Sequence, residues 1–451
     1  MSRRYCILGG GISGLVAAYR IRAAAGADAE IVILDPADRL GGVLRTEHLG
    51  GAPMDVGAEA FVARRPEVGA LLAELGIADK QITTTGVRPT IYSQDRLHPL
   101  PAGAVNGIPG TAASVAGLVD RACVATIAAE AGRPLAWRTG DDPSVGHLVA
   151  ERFGEQVVTR SVDPMLSGVY AGSAATIGLR SAVPTVAAAL DAGADSLTAA
   201  VRRALPPSTA GPVFGAIAGG YRVLLDALVA AGRPRWVQAF ATAIAPDGPG
   251  WAVTDGTGHS WHADAVVLAL PAPQAAALLA GVAGDAVAPD AAAAAGGVAT
   301  ASAVVLAMAL PAGTPFPPQS GVLVATGESL HAKAITLTSR KWGARGSDEL
   351  LRMSFGRFGD DIARSTSDDQ FRSWALEDLK TVFGISVDPV AVMVHRWIDA
   401  LPQYGPGHAA VAAEIRAGLP PGLAVAGNYL DGVGVPACVA TAGVAAARVA
   451  R

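Results

Sequence analysis

The chain has 451 residues, 51% of them AVILMFWYC and 16% charged, enough apolar material for a sizeable core divided over two or three domains. Lys+Arg is 35 against 39 Asp+Glu, so the net charge of −4 excludes a strongly basic nucleic-acid-binding face. Cys6, Cys123 and Cys438 stand far apart with no C-x-x-C, which excludes a disulfide scaffold and a zinc site and suits a reducing cytosol.

Tyr5-Cys6-Ile7-Leu8 predicts a buried parallel strand. Arg3-Arg4 precede it, but glycines follow at once with no cleavage site, so the segment is not read as a targeting peptide. The run Gly9-Gly10-Gly11-Ile12-Ser13-Gly14 leads into a helical pattern through Leu15, Val16, Tyr19 and Ile21. A second strand follows at Glu30-Ile31-Val32-Ile33-Leu34-Asp35, continuing to Pro36. Strand, G-x-G-x-x-G, helix, strand and acid, with Asp35 lying 21 residues after Gly14, make a full dinucleotide fingerprint. Gly9 allows the tight turn. Gly11 lets a pyrophosphate approach the helix N-terminus, where Ile12 and Ser13 present backbone N–H groups. Gly14 lets helix and strand pack closely, and Asp35 takes ribose hydroxyls.

Arg39-Leu40-Gly41-Gly42 and then Gly57-Ala58-Glu59-Ala60 come next. In glutathione-reductase-like and amine-oxidase-like flavoproteins, which this region resembles, a Gly-Gly packs under the FAD pyrophosphate and a D-x-G-A segment passes the flavin ring. Val43 replaces the usual basic residue after Gly-Gly, so Arg39 or Arg45 is expected to supply the charge. Residues 291–327 carry no charge, yet four prolines interrupt them, so they are read as a soluble core segment around Val304-Val305-Leu306 and not as a membrane span. Near the C-terminus, residues 423–428 read as a strand entering a loop, and 437–451 as a small-residue helix. Between them lie Gly427, Asn428, Val433, Gly434 and Val435. A helix N-terminus here, with Pro436 in its first turn, would stabilise negative charge on a reduced flavin.

Six segments together resemble the bacterial porphyrinogen oxidases of haem synthesis, within the amine-oxidase-like flavoproteins. They are Gly57 to Phe61, Leu166-Ser167-Gly168-Val169-Tyr170-Ala171-Gly172, Gly219-Gly220-Tyr221-Arg222, Leu337 to Trp342, Leu401-Pro402-Gln403-Tyr404, and Ala426 to Pro436. The match covers nearly the whole chain. Abundant Ala and Arg well above Lys suit a GC-rich bacterium such as an actinobacterium, where the family member is typically the coproporphyrinogen oxidase.

The resemblance implies an α/β and α+β protein. A Rossmann-like FAD domain would be built from residues 1–75, 205–270 and 390–451, with a helical, membrane-facing domain at 80–204 and an inserted mixed-sheet substrate domain at 271–389. It places Ala241 beside the adenine and Trp397 against the flavin. It implies non-covalent FAD, a porphyrinogen substrate, O2 as acceptor giving H2O2, product hand-over to ferrochelatase, and a cytoplasmic protein with peripheral membrane contact. Porphyrin formation removes six electrons, as hydride to the flavin and protons from pyrrole N–H groups, so neither a catalytic side chain nor a metal is expected. Arg64 and Arg65 are the candidates for gripping propionates, with a solvated helix-start pair as their other reading. Gly168 aligns with a carbonyl near the pyrrole nitrogens, or is a plain turn glycine; Trp397 has a plain core Trp as its rival. His331, Lys333 and Arg340 are weaker candidates for such cations, with surface or packing residues as their main reading. Coproporphyrinogen III is preferred over protoporphyrinogen IX. A flavin amine oxidase, a carotenoid desaturase and a non-catalytic FAD-fold protein binding a haem precursor stay as alternatives.

Overall fold

The computed structural model describes residues 2–207, 211–282, 288–344 and 346–450; residues 208–210 and 283–287, inside two of the expected domain pieces, lie outside the described residues. Strand Arg4–Leu8 sits at the centre of a five-stranded sheet, between Glu30–Leu34 and Ala265–Leu268. Arg235–Val237 and Leu423–Val425 form the two edges, and all four pairings are parallel. Alternation along the central strand decides which layer each residue enters. Tyr5 and Ile7 face a core made with helices Ile12–Ala25, Tyr221–Gly232 and Val435–Val449. Cys6 and Leu8 face a second core with helices Ala272–Ala280, Pro289–Gly296 and His408–Ala417 and a three-stranded meander at 241–263. Strands from distant parts of the chain therefore share one sheet.

A seven-stranded mixed sheet stands beside it, in the order 391–402, 300–310, 349–355, 334–337, 321–324, 90–93, 96–99. Helix Asp368–Phe383 covers one face through Phe371, Ala375 and Leu379. On the other face Ala307, Ala309 and Leu350 meet Leu49, Met54 and Val56 of the hairpin at 46–55. A third body, of helices between 121 and 204, has its own core around Phe153, Leu166 and Leu190. Inside it the Arg152 guanidinium, 1% exposed, bonds Glu130, whose carboxylate also accepts the Leu197 and Thr198 amides opening helix Leu197–Ala204.

Three segments fall on the other side of the expected divisions. Residues 90–99 are strands, because the edge at Val322–Val324 needs a partner and Thr90–Tyr92 supply it in parallel register. Residues 391–402 pair along the 300–310 strand and so belong to the seven-stranded sheet. Residues 272–296 are helices on the five-stranded sheet. The uncharged stretch from 291 runs through the end of helix 289–296, a strand buried along almost its whole length, and strand Gly321–Val324. Among the described residues no helix is long and apolar enough to cross a membrane.

Candidate functional site

The glycine run after the first strand divides by what each position tolerates. Gly9 has φ +101°, and a Cβ there would lie 2.3 Å from the Ala269 carbonyl oxygen. A Cβ on Gly14 would lie 1.9 Å from the Gly9 oxygen. The chain's own packing forbids a side chain at both. Gly11 is different. Its φ of −70° suits any residue, and a Cβ would meet only the Gly42 Cα at 3.9 Å. Gly42 has φ +57°, and the Gly41 N–H donates to the Gly10 carbonyl at 2.8 Å. Helix Ile12–Ala25 starts at Gly11 without a side-chain cap, so its first-turn N–H groups, including Ile12 and Ser13, face an open cradle between two glycines.

Asp35 closes the far side of this cradle. One of its oxygens accepts the Gly10 N–H at 2.6 Å and the other the Ala37 N–H at 2.9 Å. The edge strand comes alongside: the Asp35 N–H donates to Val237, Trp236 Nε1 to the Asp35 carbonyl, and Gln238 to the Pro36 carbonyl. Ala241 opens the next strand, half-buried. Arg39 is committed elsewhere than expected. Its guanidinium donates to the carbonyls of Leu40, Gly42 and Leu44, bracing the Gly-Gly loop, and Arg45 pairs with Glu47. The cradle's charge complementarity thus rests on backbone dipoles.

The second wall runs through residues 57–60, half-buried after the buried Met54, Asp55 and Val56. A Cβ on Gly57 would overlap the Val43 oxygen at 1.7 Å and come within 3.2 Å of the Trp397 ring. Trp397 Nε1 donates to the Val56 carbonyl at 2.8 Å, and His395 stacks on the Trp397 ring. Arg352, 8% exposed, donates from Nη2 to the Gly57 carbonyl at 2.7 Å. Its Nη1 has no partner among the described residues. An orphaned buried donor beside an open wall fits a ligand carrying acceptors along this edge. Glu59 turns its carboxylate away, onto Lys341 at 2.7 Å; burial alone would raise it, but Lys341 and Arg352 hold it down at about 2. Ala58 and Ala60 leave only backbone and methyl groups to the wall. Asp55, four residues earlier, is pushed up by burial to about 6 despite hydrogen bonds from Thr46 and the Tyr221 amide.

The closing segment is held by aromatic side chains. Tyr404 OH donates to the Asn428 carbonyl and accepts the Gly432 N–H at 2.9 Å; Asn428 Nδ2 donates to the Ala400 carbonyl at 3.0 Å. Gly427 donates to Thr441. Val433 packs against the helical core, and Gly434 precedes helix Val435–Val449, which begins without a side-chain cap and with Pro436 in its first turn. This second uncapped N-terminus belongs to a helix packed along the first one.

The expected substrate residues separate. Arg64 points to the Gly211 carbonyl, at 3.0 and 2.9 Å, on the outer surface. Arg65 precedes helix Pro66–Glu74, pairs with Glu67, and lies beside the closing loop, its Nη1 3.9 Å from where a Gly432 Cβ would be. Gly168 is no turn glycine: it lies exposed in the last turn of helix Asp163–Tyr170. Neighbouring carbonyls there are taken, Ser167 by Ala171 N–H and Tyr170 by Gln403. Lys333, read from the sequence as surface or packing, is 4% exposed. Sequence reasoning passed over Arg352, Lys341, Asp55 and Tyr404. Arg352 left a usable signal, a lone charge inside Leu350-Leu351-Arg352-Met353-Ser354-Phe355.

Together these residues offer an uncapped helix N-terminus for a pyrophosphate, an acid at the ribose position, and an orphaned guanidinium beside a glycine wall. That set fits a flavin dinucleotide. A family model described as flavin containing amine oxidoreductase matches residues 12–450. A curated Mycobacterium tuberculosis (strain H37Rv) protein named coproporphyrinogen III oxidase is 64% identical over 441 residues, covering 98% of this chain and 96% of that protein. A Bacillus subtilis protein of the same name is 27% identical over 96% of this chain and 95% of its own length. Among solved structures, one from Exiguobacterium sp. 255-15, provisionally described as a protoporphyrinogen oxidase, is similar at TM-score 0.88 and 28% identity, covering 100% of this chain and 99% of that one. Cyclohexylamine oxidase from Brevibacterium oxydans shares the fold at TM-score 0.71 and 17% identity, covering 100% of this chain and 99% of its own.

Proposed function

Because the chain belongs to the flavin containing amine oxidoreductase family, and carries a built flavin site, we propose that it is an FAD-dependent oxidase of haem synthesis that converts coproporphyrinogen III to coproporphyrin III. The observation that carries this reading is the 64% identity, over 98% of the chain, to a protein named coproporphyrinogen III oxidase. The FAD is held non-covalently: the three cysteines are buried and free, and burial raises the Cys438 thiol to about 11. When bound, FAD supplies the two-electron acceptor chemistry and the passage of electrons to O2, giving H2O2.

The chain's own part is binding and orientation. First-turn amides after Gly11 take the pyrophosphate, and Asp35 takes the ribose. Trp397 and residues 57–60 wall the isoalloxazine ring, and the N-terminus of helix Val435–Val449 favours negative charge near it. Burial and then Arg45 lower the pKa of His395 beside Trp397, with Glu47 opposing. Substrate enters between this wall and the exposed Gly168–Val169 turn of the helical body. Arg65 meets a propionate at the closing loop, and product passes to a ferrochelatase.

The purified protein is expected to be yellow, to release FAD on acid precipitation, and to form fluorescent coproporphyrin from coproporphyrinogen III with about three H2O2 per porphyrin, as two-electron steps require. Faster turnover of protoporphyrinogen IX would move the assignment to that substrate. Turnover of amines alone would overturn it.

A further inference from the structure

We propose that Lys333 and Arg357 form a second carboxylate subsite beneath the end of helix 163–170, taking a propionate of the substrate. The inference rests on the porphyrinogen reading and concerns the substrate side of the same site. Lys333 lies just before strand Ala334–Leu337; its Nζ donates to the Gly356 carbonyl at 2.5 Å, which places it directly beside Arg357. The Arg357 guanidinium makes no hydrogen bond and no ion pair among the described residues, although it is half-buried. A buried ammonium and a half-buried guanidinium are thus held close to each other, and their mutual repulsion is relieved when an anion joins them.

The nearby carboxylates are already engaged. Asp163 accepts the Ala174 N–H at 2.7 Å and the Thr326 hydroxyl at 2.9 Å. Asp360, on the exposed side, accepts the Arg357 amide at 2.6 Å. Burial first, and Arg357 second, push the Lys333 ammonium down to about 7, and Asp360 offsets only part of this. Burial lowers Arg357 as well, with Asp163 and Asp360 opposing. An arriving carboxylate would relieve both cations.

The position also suits the substrate. Phe358, next to Arg357, donates its N–H to the Ala171 carbonyl at 2.6 Å, tying the pair to the Ser167–Gly172 segment. Leu323, paired with Ala334, is the side chain nearest to Gly168. Trp397 pairs with Ala303, and the strand after Lys333 stands three places further across the same sheet. Arg357 follows the strand two places away and Lys333 precedes the strand three places away, so roughly 10–14 Å separate the flavin wall from the cation pair. A macrocycle reacting at the wall would extend its peripheral carboxylates in that direction.

The test compares wild type with Arg357→Gln and Lys333→Met, all loaded with FAD. Dissociation constants are measured for coproporphyrin III and for its tetramethyl ester, alongside KM and kcat for coproporphyrinogen III. Arg357→Gln is expected to weaken binding of the free acid about tenfold, the loss of one charge-assisted pair, with the ester unaffected and kcat little changed. Arg357→Lys should restore part of the loss. Unchanged affinity for the acid, or equal weakening of acid and ester, would overturn the subsite. Arg357 is half-buried, so its variants serve if Lys333→Met does not fold. Absence of porphyrinogen oxidation by the wild type would instead strike the functional reading itself.

Discussion

The cofactor side and the substrate side of this molecule recognise charge by different means. On the proposed cofactor side the groups offered to phosphates are backbone: an uncapped helix start and glycines without Cβ, with Arg39 spent on bracing the loop. On the substrate side the available groups are long side chains. Arg65, Lys333 and Arg357 arrive from separate elements, and each is balanced against burial or a neighbouring carboxylate. Backbone donors are fixed in place when the fold forms. Side-chain cations keep freedom, can be retuned by one substitution, and must be neutralised when the cavity is empty. The cofactor side should therefore respond to substitution all or none, and the substrate side by degrees.

The sharpest test of that contrast lies within one loop. Gly14→Ala sets a methyl 1.9 Å from the Gly9 oxygen and should destabilise the whole chain by about 3–5 kcal/mol, the upper range of overpacking. Gly11→Ala has room and an ordinary φ. It should leave the flavin-free protein as stable as before, or more stable by up to ~1 kcal/mol, yet abolish flavin retention because the methyl occupies the cradle. Thermal melts of flavin-free protein, paired with flavin content after purification, read the two effects separately. A Gly11→Ala protein that keeps its flavin would remove the pyrophosphate from this loop.

The flavin wall offers the next largest effect, with opposite signs four residues apart. Glu59 is held at about 2 in the fold against an ordinary 4.5, so its contribution is complete above pH 4.5 and is lost as pH falls toward 2. The shift corresponds to about 3 kcal/mol. Asp55 is raised from 3.8 to about 6, so its contribution is complete below 3.8 and is lost as pH rises through 6, again by about 3 kcal/mol. Glu59→Gln should thus cost about 2–3 kcal/mol at neutral pH, since the half-buried Lys341 is left without its partner. Asp55→Asn should instead stabilise the protein above pH 6 and change little at pH 4, because an amide oxygen still accepts from Thr46 and Tyr221. Urea unfolding across this pH range decides both. Parallel stability curves for wild type and Asp55→Asn would show that Asp55 titrates normally.

The same division explains what could be read before any fold was known. Phosphate recognition by backbone is local, so Gly9 to Gly14 and Asp35 appear in one short window with a spacing that few other structures need. The closing helix at 435–449 was also found, because Pro436 and the glycines before it carry its turn chemistry. Residues 90–99 and 391–402 were misplaced because sheet membership depends on a partner far away in sequence, 300–310 for the second and 322–324 for the first. Arg352 and Lys341 escaped for a related reason: they meet Gly57 and Glu59 only after two sheets pack together. Arg64 and Arg65 show the limit of adjacency. Both were candidates, but the turn closed by the Arg65 N–H on the Val62 carbonyl sends them to different partners.

That last pair gives the smallest and most discriminating effect. Arg65 lies against the closing loop at Gly432, whereas Arg64 bonds the Gly211 carbonyl on the outside. Arg65 is already paired with Glu67 and 42% exposed, so replacing that partner with a propionate returns only part of a charge-assisted bond. Arg65→Ala should therefore raise KM for coproporphyrinogen III by about three- to tenfold, at the low end of what such a pair contributes, with kcat and flavin content unchanged. Glu67→Gln should act in the opposite direction, lowering KM, because it frees the guanidinium. Arg64→Ala should leave both constants alone. Equal responses at Arg64 and Arg65 would mean that the two act through general surface charge, which a loss of the difference between variants at high salt would make plain. A response at Arg65 alone, reversed in sign at Glu67, places the propionate beside the closing loop.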